Sequence, residues 1–142
     1  MKRLFLAAVL LIVSTLAGAQ QRFSCNFRIT EKESGREVSS GVAYVQDSCY
    51  RCDTEAGALY CNGTDRWIYS SASNELVIQK NDLSMLEGFD PGTVRGSACT
   101  YEYSGFLVSL TNIKKVAEPW PATFFIIDPE SFDDDTVITD LR

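Results

Sequence analysis

The stretch SGVAYVQDSCYRCDTEAGALYCNGTDRWIYSSASNELVIQK, residues 40–80, decides the fold of this chain. Short runs rich in β-branched and aromatic residues alternate in it with short polar or glycine-containing connections. Among these connections, Asn62-Gly63 is one of the strongest signals for a tight hairpin turn. Connections of this length leave no room for a crossover helix, so the stretch predicts a series of antiparallel hairpins.

The same pattern predicts strands on both sides of this stretch. Residues 22–31 alternate apolar and polar side chains, as a half-buried strand does. The predicted strands cover residues 22–31, 40–46, 49–54, 58–61, 66–69, 75–80, 100–103, 106–110 and 122–127, with a last strand-like run at 136–139. One short helix is predicted at 82–87. A single twisted sheet with so little helix must bend to cover its apolar face, which predicts a mainly β fold: one curved antiparallel sheet, an unclosed half-barrel with a short lid helix.

Residues 1–19 have the three parts of a secretory signal peptide. Lys2 and Arg3 precede an apolar run from Leu4 to Leu16, and the small residues 17–19 follow it. The run is shorter than the about 20 residues that a membrane-spanning helix needs. We therefore expect a cleaved signal, a soluble periplasmic product, and one domain over residues 20–142.

Charge narrows the classes of partner. The chain has 13 basic and 19 acidic residues, and the signal carries two of the basic ones, which leaves a formal net charge of −8 on the remainder. Proteins that bind nucleic acid through phosphates need clusters of Lys and Arg, and so do proteins that bind anionic membrane surfaces. Neither kind of partner is expected.

The residue types in the chain do not support an enzymatic function. The chain contains no histidine, so no Ser–His or Cys–His pair can form. The Cys49-x-x-Cys52 motif lies in a strand-like stretch and has no second pair, which favours neither a redox site nor a zinc site. Residues 133–135 are interpreted as a solvated acidic turn. We expect a protein that is not an enzyme and holds no metal and no cofactor.

Strand pairing gives a further prediction. If Ala56-Gly57 is a two-residue loop, Cys52 lies opposite Cys61, close enough for a disulfide after small adjustments. The alternative is a pair of buried free thiols that behave as small apolar residues. In either case Tyr50, Leu59 and Ile68 share the face on which these two cysteines lie.

Several of these segments, taken in order, resemble the periplasmic lipoprotein carrier family, the LolA-like proteins. The resemblance rests on a strand that begins with glycine, on Tyr50-Arg51-Cys52, on the Asn62-Gly63 hairpin with Trp67 and Tyr69, on the apolar strand at 75–78, and on the chain end at 132–142. Cys52 stands where the family has a second aromatic residue, and one short lid helix is predicted here. The resemblance implies a shortened, divergent carrier of lipoproteins or other acyl-chain ligands.

The resemblance also implies where the ligand binds. Tyr50 and Cys52 match aromatic positions that line the family's cavity, so their face is expected to be the concave, ligand-binding one. The expected ligand-binding residues are Tyr50, Cys52, Leu59, Cys61, Ile68, Phe106 and Phe125. Lipid or lipoprotein acyl chains are the expected ligands, and a protein partner is expected to cover an open cavity.

Two alternatives to a carrier remain open. In the first, these side chains form an ordinary hydrophobic core. In the second, the chain is a small disulfide-stabilised periplasmic interaction module without lipid cargo. Such a module would bind a protein or glycan through a sheet edge or through Trp120 and Tyr101.

Overall fold

The computed structural model describes residues 22–81, 98–103 and 105–142. They form one nine-stranded, mostly antiparallel sheet that is not closed into a barrel, which confirms the predicted fold class. The strands are β1 (Arg22–Glu31), β2 (Glu37–Gln46), β3 (Cys49–Thr54), β4 (Gly57–Cys61), β5 (Asp65–Ser70), β6 (Glu75–Lys80), β7 (Cys99–Tyr103), β8 (Phe106–Lys115) and β9 (Val137–Asp140). The predicted signal peptide at 1–19 and lid helix at 82–87 lie outside the described residues.

The strands from β2 to β6 pair consecutively and antiparallel, as the stretch from 40 to 80 predicts. Asn62 and Gly63 both contribute to the turn between β4 and β5. The Asn62 side chain accepts hydrogen bonds from the backbone N–H groups of Thr64 and Asp65, at 3.0 and 2.9 Å. Gly63 adopts a positive φ of 95°, which a residue without a Cβ reaches at little cost.

Long-range pairing completes the sheet on both sides of this meander. β1 pairs with β2 on one edge and with β8 on the other. β7 forms a hairpin with β8 and lies on its outer side. β9 adds to β6 in the parallel direction, so the strand order is β7-β8-β1-β2-β3-β4-β5-β6-β9. β7 and β9 are therefore the two edges of an open sheet.

The alternation of side chains gives the sheet two faces, which we call the Tyr50 face and the Trp67 face. The buried cluster on the Tyr50 face consists of Cys25, Phe27, Ile29, Ala43, Val45, Tyr50, Cys52, Leu59, Cys61, Val108 and Leu110. The cluster on the Trp67 face is formed by Trp67, Leu76 and Ile78 together with Ile127 of the C-terminal segment. Each face thus contributes to its own hydrophobic core.

The C-terminal segment contradicts one predicted strand. Residues 122–127 do not form a strand: Ala122–Phe125 is a 3₁₀-helix, and a second one follows at Pro129–Ser131. Proline lacks the N–H group that a sheet ladder needs, and Pro121 instead accepts a hydrogen bond from the Phe124 N–H at 3.0 Å. The apolar side chains of this segment pack against the sheet, and its backbone does not pair within the sheet.

This segment crosses the Trp67 face from β2 to β5. Gln46 of β2 holds Trp120 by two hydrogen bonds, in which its amide nitrogen donates to the Trp120 carbonyl (3.1 Å) and its amide oxygen accepts from the Trp120 N–H (2.8 Å). Arg51 of β3 donates to the Phe124 carbonyl at 3.3 Å. The crossing brings the chain to the far edge of the sheet, where β9 pairs with β6. No helix in the described part of the chain is long and apolar enough to span a membrane.

Candidate ligand-binding face

The structure brings together five of the residues that the sequence placed on one apolar face. Tyr50 lies opposite Cys61, Cys52 lies opposite Leu59, and Leu59 lies opposite Ile68. Directly opposed residues project on the same side of a sheet. Strands β3, β4 and β5 therefore present these side chains as one continuous patch on the Tyr50 face.

The other two expected residues have different positions. Phe106 of β8 is partly buried and packs against the same core at its far end. Phe125 does not lie on this face, so its predicted position there is wrong. Its ring contacts the rings of Trp120 and Phe124, and both of these rings contact Tyr44. Tyr44 points to the Trp67 face, because its neighbours Ala43 and Val45 point to the Tyr50 face. Phe125 was misplaced because its segment was predicted to be a strand of the sheet.

Part of this face was not predicted from the sequence. β1, β2 and β8 supply the buried residues Cys25, Phe27, Ile29, Ala43, Val45, Val108 and Leu110. The alternation of residues 22–31 marks the β1 members as one face of a strand. Nothing local indicates that β1 inserts between β2 and β8, so the pattern did not join them to the patch from β3 to β5.

The predicted disulfide is wrong. Cys52 and Cys61 are free thiols, because the two-residue loop of this hairpin is Glu55-Ala56 and not Ala56-Gly57. Gly57 instead pairs with Thr54, whose hydroxyl accepts from the Gly57 N–H and donates to the Gly57 carbonyl, both at 3.1 Å. Cys52 and Cys61 therefore belong to two different cross-strand pairs, with the Arg51–Tyr60 pair between them. The disulfide-stabilised alternative loses this cross-link.

The Tyr50 face is apolar in its chemistry as well as in its composition. Cys52, Leu59 and Cys61 have 0% of their surface exposed, and Tyr50 has 1%. Burial raises the pKa of both thiols and of the Tyr50 phenol, because their charged forms lose solvation. All three groups are therefore neutral at pH 7. The Tyr50 hydroxyl also donates to the Asn81 side-chain oxygen at 3.0 Å.

The patch ends at a buried cation that the sequence analysis did not predict. Arg66 of β5 lies opposite Cys61 and is only 5% exposed. With the Gln79 amide turned so that its oxygen faces Arg66, both Nη2 and Nε of the guanidinium donate to it at 2.6 Å. A buried charge needs such partners. The hydrophobic pattern could not reveal Arg66, since an arginine beside Trp67 is typical of a solvated position.

The burial of the thiols predicts an order of chemical modification. In denaturant without reductant, we expect Cys49, Cys52 and Cys61 all to be alkylated by iodoacetamide. In the folded protein Cys49, which is half-buried, should react first, and Cys52 and Cys61 should react at least about 100-fold more slowly, since they require opening of the sheet. Peptide mapping by mass spectrometry measures each rate. A Cys52–Cys61 cross-linked peptide from the unreduced protein would contradict the structure.

Comparison with known proteins shows the fold and no more. No protein-family model matches the chain, and no curated protein matches it. Among solved structures, the chain is similar to the crystal structure of an uncharacterized conserved protein from Thermus thermophilus. The two share 10% sequence identity at a TM-score of 0.55, and the match covers 92% of this chain and 96% of that one. Likeness at this identity supports a shared architecture without assigning an activity.

Proposed function

We propose that this protein is an exported, periplasmic binding protein that carries acyl chains, free or attached to a lipoprotein, against the Tyr50 face. The observation that carries the proposal is the continuity of this apolar face on a sheet that does not close. Its buried side chains extend over neighbouring strands from β8 through β1 to β4, with Ile68 of β5 packed beside them. The resemblance of residues 40–80 to the lipoprotein carrier family supports the same function.

An acyl chain suits this face because it binds through apolar contact and needs no hydrogen bond or ion pair. Burial of a chain contributes about 0.8 kcal/mol for each CH₂ group, so contact area alone can hold it. The thiols and the phenol on this face are neutral at pH 7, and they offer an acyl chain no charge to desolvate. Small thiols at Cys52 and Cys61 also leave more room on the sheet than aromatic residues at the same positions.

Binding requires a rearrangement at one border of the face. The central side chains are fully buried, whereas Ile68 is only partly buried and packs against the edge of their cluster. In the proposed binding, a ligand enters at β5 and replaces protein contacts of Ile68 with contacts to its own methylene groups. Because Ile68 lies at the edge of the cluster, substituting it disturbs the fully buried side chains less than substituting one of them would.

The test is a titration of the purified protein with a fluorescent sixteen-carbon fatty acid. We expect saturable binding, and we expect Ile68→Ser to weaken it by roughly tenfold, since the lost apolar contact is worth about 1.5 kcal/mol. Ile126→Ser is the matched control, because Ile126 is 38% exposed and lies in the C-terminal segment. Thermal unfolding of both variants shows whether each is folded.

Two results would count against the carrier. One is a folded protein that binds no fatty acid at any concentration below the ligand's micelle threshold. The other is equal weakening by Ile68→Ser and Ile126→Ser, which would mean that the probe adheres without using the Tyr50 face. Either result would leave the Tyr50 face as an ordinary hydrophobic core.

A further inference from the structure

The outer edge of β9 has backbone groups that pair with no other strand among the described residues. On its inner side, the Val137 N–H donates to the Asn74 carbonyl at 3.0 Å and the Leu141 N–H donates to the Ile78 carbonyl at 2.7 Å. Because alternate residues of a paired strand point their backbone groups to the same side, those of Ile138 and Asp140 point away from β6. No other strand in the described part of the chain lies there, since β9 ends the strand order.

Apolar side chains accompany these groups. Val137, Ile138 and Leu141 are 59%, 44% and 63% exposed, and they are three of the four large hydrophobic residues that are exposed in the described part of the chain. Soluble proteins usually protect a sheet edge with charged residues, proline or a covering segment. An edge that combines unpaired backbone with exposed aliphatic side chains is the template that an added strand uses.

The charge around β9 determines what kind of strand fits. Residues 128–140 contain only acidic charges, which are Asp128, Glu130, Asp133, Asp134, Asp135 and Asp140. Arg142, the cation that follows β9, is already held by Asp140 at 2.6 Å and by Asp65 at 3.4 Å. A second copy of this chain would place like charges against each other, and an anionic membrane would be repelled.

We propose that the β9 edge docks an extended segment of a partner protein, in which a few β-branched residues are flanked by Lys or Arg. The segment adds a tenth strand by pairing with the backbone of Ile138 and Asp140. Its apolar side chains cover those of Val137, Ile138 and Leu141, and its flanking cations lie against the acidic residues that precede β9. This docking does not depend on the acyl-chain function, because it uses the edge of the sheet and not the Tyr50 face.

The probe is a synthetic peptide, Lys-Lys-Val-Thr-Val-Thr-Val-Lys-Lys, labelled with a fluorophore and titrated into the purified protein. We expect saturable binding that weakens as salt is raised. The counterpart with Glu in place of each Lys should bind at least about tenfold more weakly, because like charges replace opposite ones. Hydrogen exchange at the Ile138 and Asp140 amides should slow when the Lys peptide binds.

Two substitutions at one position separate backbone pairing from side-chain contact. Ile138→Pro removes the outward N–H and leaves the inward bonds to β6 in place, so β9 itself should persist. We expect it to weaken peptide binding by about tenfold or more, whereas Ile138→Ala, which keeps the N–H, should weaken it only about threefold. A double variant, Asp134→Asn with Asp135→Asn, should reduce the salt dependence.

Three outcomes would overturn the proposal. The first is a folded protein, judged by its thermal transition, to which the Lys peptide does not bind. The second is binding that Ile138→Pro leaves unchanged or that does not slow exchange at Ile138 and Asp140. The third is a concentration-dependent dimer in sedimentation that Ile138→Pro abolishes, which would make a second copy the occupant. Fatty-acid binding, whatever its result, does not affect these outcomes.

Discussion

Replacing Gly41 with alanine will destabilise the protein by about 3 kcal/mol or more, although the change adds one methyl group. A Cβ at this position of β2 would overlap the backbone carbonyl oxygen of Asp53, and it would lie 2.9 Å from the Thr54 Cγ2 atom. A backbone atom cannot move aside as the end of a flexible side chain can. β3 would have to shift as a whole, together with the strands that pair with it.

Urea denaturation of Gly41→Ala and of Gly35→Ala measures the effect. Gly35 has nothing within 4 Å of an added Cβ, but its φ of +72° disfavours any residue other than glycine. We expect Gly35→Ala to cost about 1–2 kcal/mol, which is the conformational penalty without a clash. If Gly41→Ala proves no more costly than Gly35→Ala, β2 and β3 are not as close here as the structure shows.

The second large effect is expected at Leu59. This side chain is fully buried between Cys52 and Ile68, at the middle of the Tyr50 face. Leu59→Ala should lower the free energy of unfolding by about 2–5 kcal/mol, because the lost methyl groups leave a cavity that a sheet held from both sides cannot collapse to fill. The measurement is chemical denaturation of Leu59→Ala and of the unsubstituted protein. If the unfolding free energy falls with denaturant concentration at the same slope in both, the substitution has changed stability alone.

Leu141→Ala is the matched control for Leu59→Ala. Leu141 is 63% exposed, so the same truncation there should cost less than about 1 kcal/mol. A small effect at Leu59 would show that the Tyr50 face is loosely packed. A loose face would admit a ligand more readily, so fatty-acid binding by Leu59→Ala should be measured beside its stability.

Periodicity explains why the composition of the Tyr50 face was predicted although its register was not. The expected loop placed Cys52 opposite Cys61, and in the structure Cys52 lies opposite Leu59. The displacement is two residues, and a strand repeats its faces every two residues, so every side chain stayed on its expected side. A disulfide requires that the two cysteines lie opposite each other and not only on the same face. The prediction of a Cys52–Cys61 disulfide was therefore wrong.

Contacts distant in sequence explain what local patterns missed. The run at 122–127 has the composition of a buried strand, but Pro119 and Pro121 precede it and the sheet face offers Tyr44 and Arg51 as partners. Aromatic packing and hydrogen bonds to the sheet then outweigh strand propensity. The insertion of β1 between β2 and β8 and the parallel addition of β9 have no local signal at all.

By itself, the sequence determined the β class, the meander from β2 to β6, and which side chains share a face. Each of these follows from short-range terms: turn residues, connection lengths and a period of two. The tertiary structure alone decided the pairing of Cys52, the side on which Phe125 lies, the burial of Arg66 and the exposed edge at β9. Those features depend on which distant segments meet, and that is settled by the total burial and hydrogen bonding of the whole chain, which no local window contains.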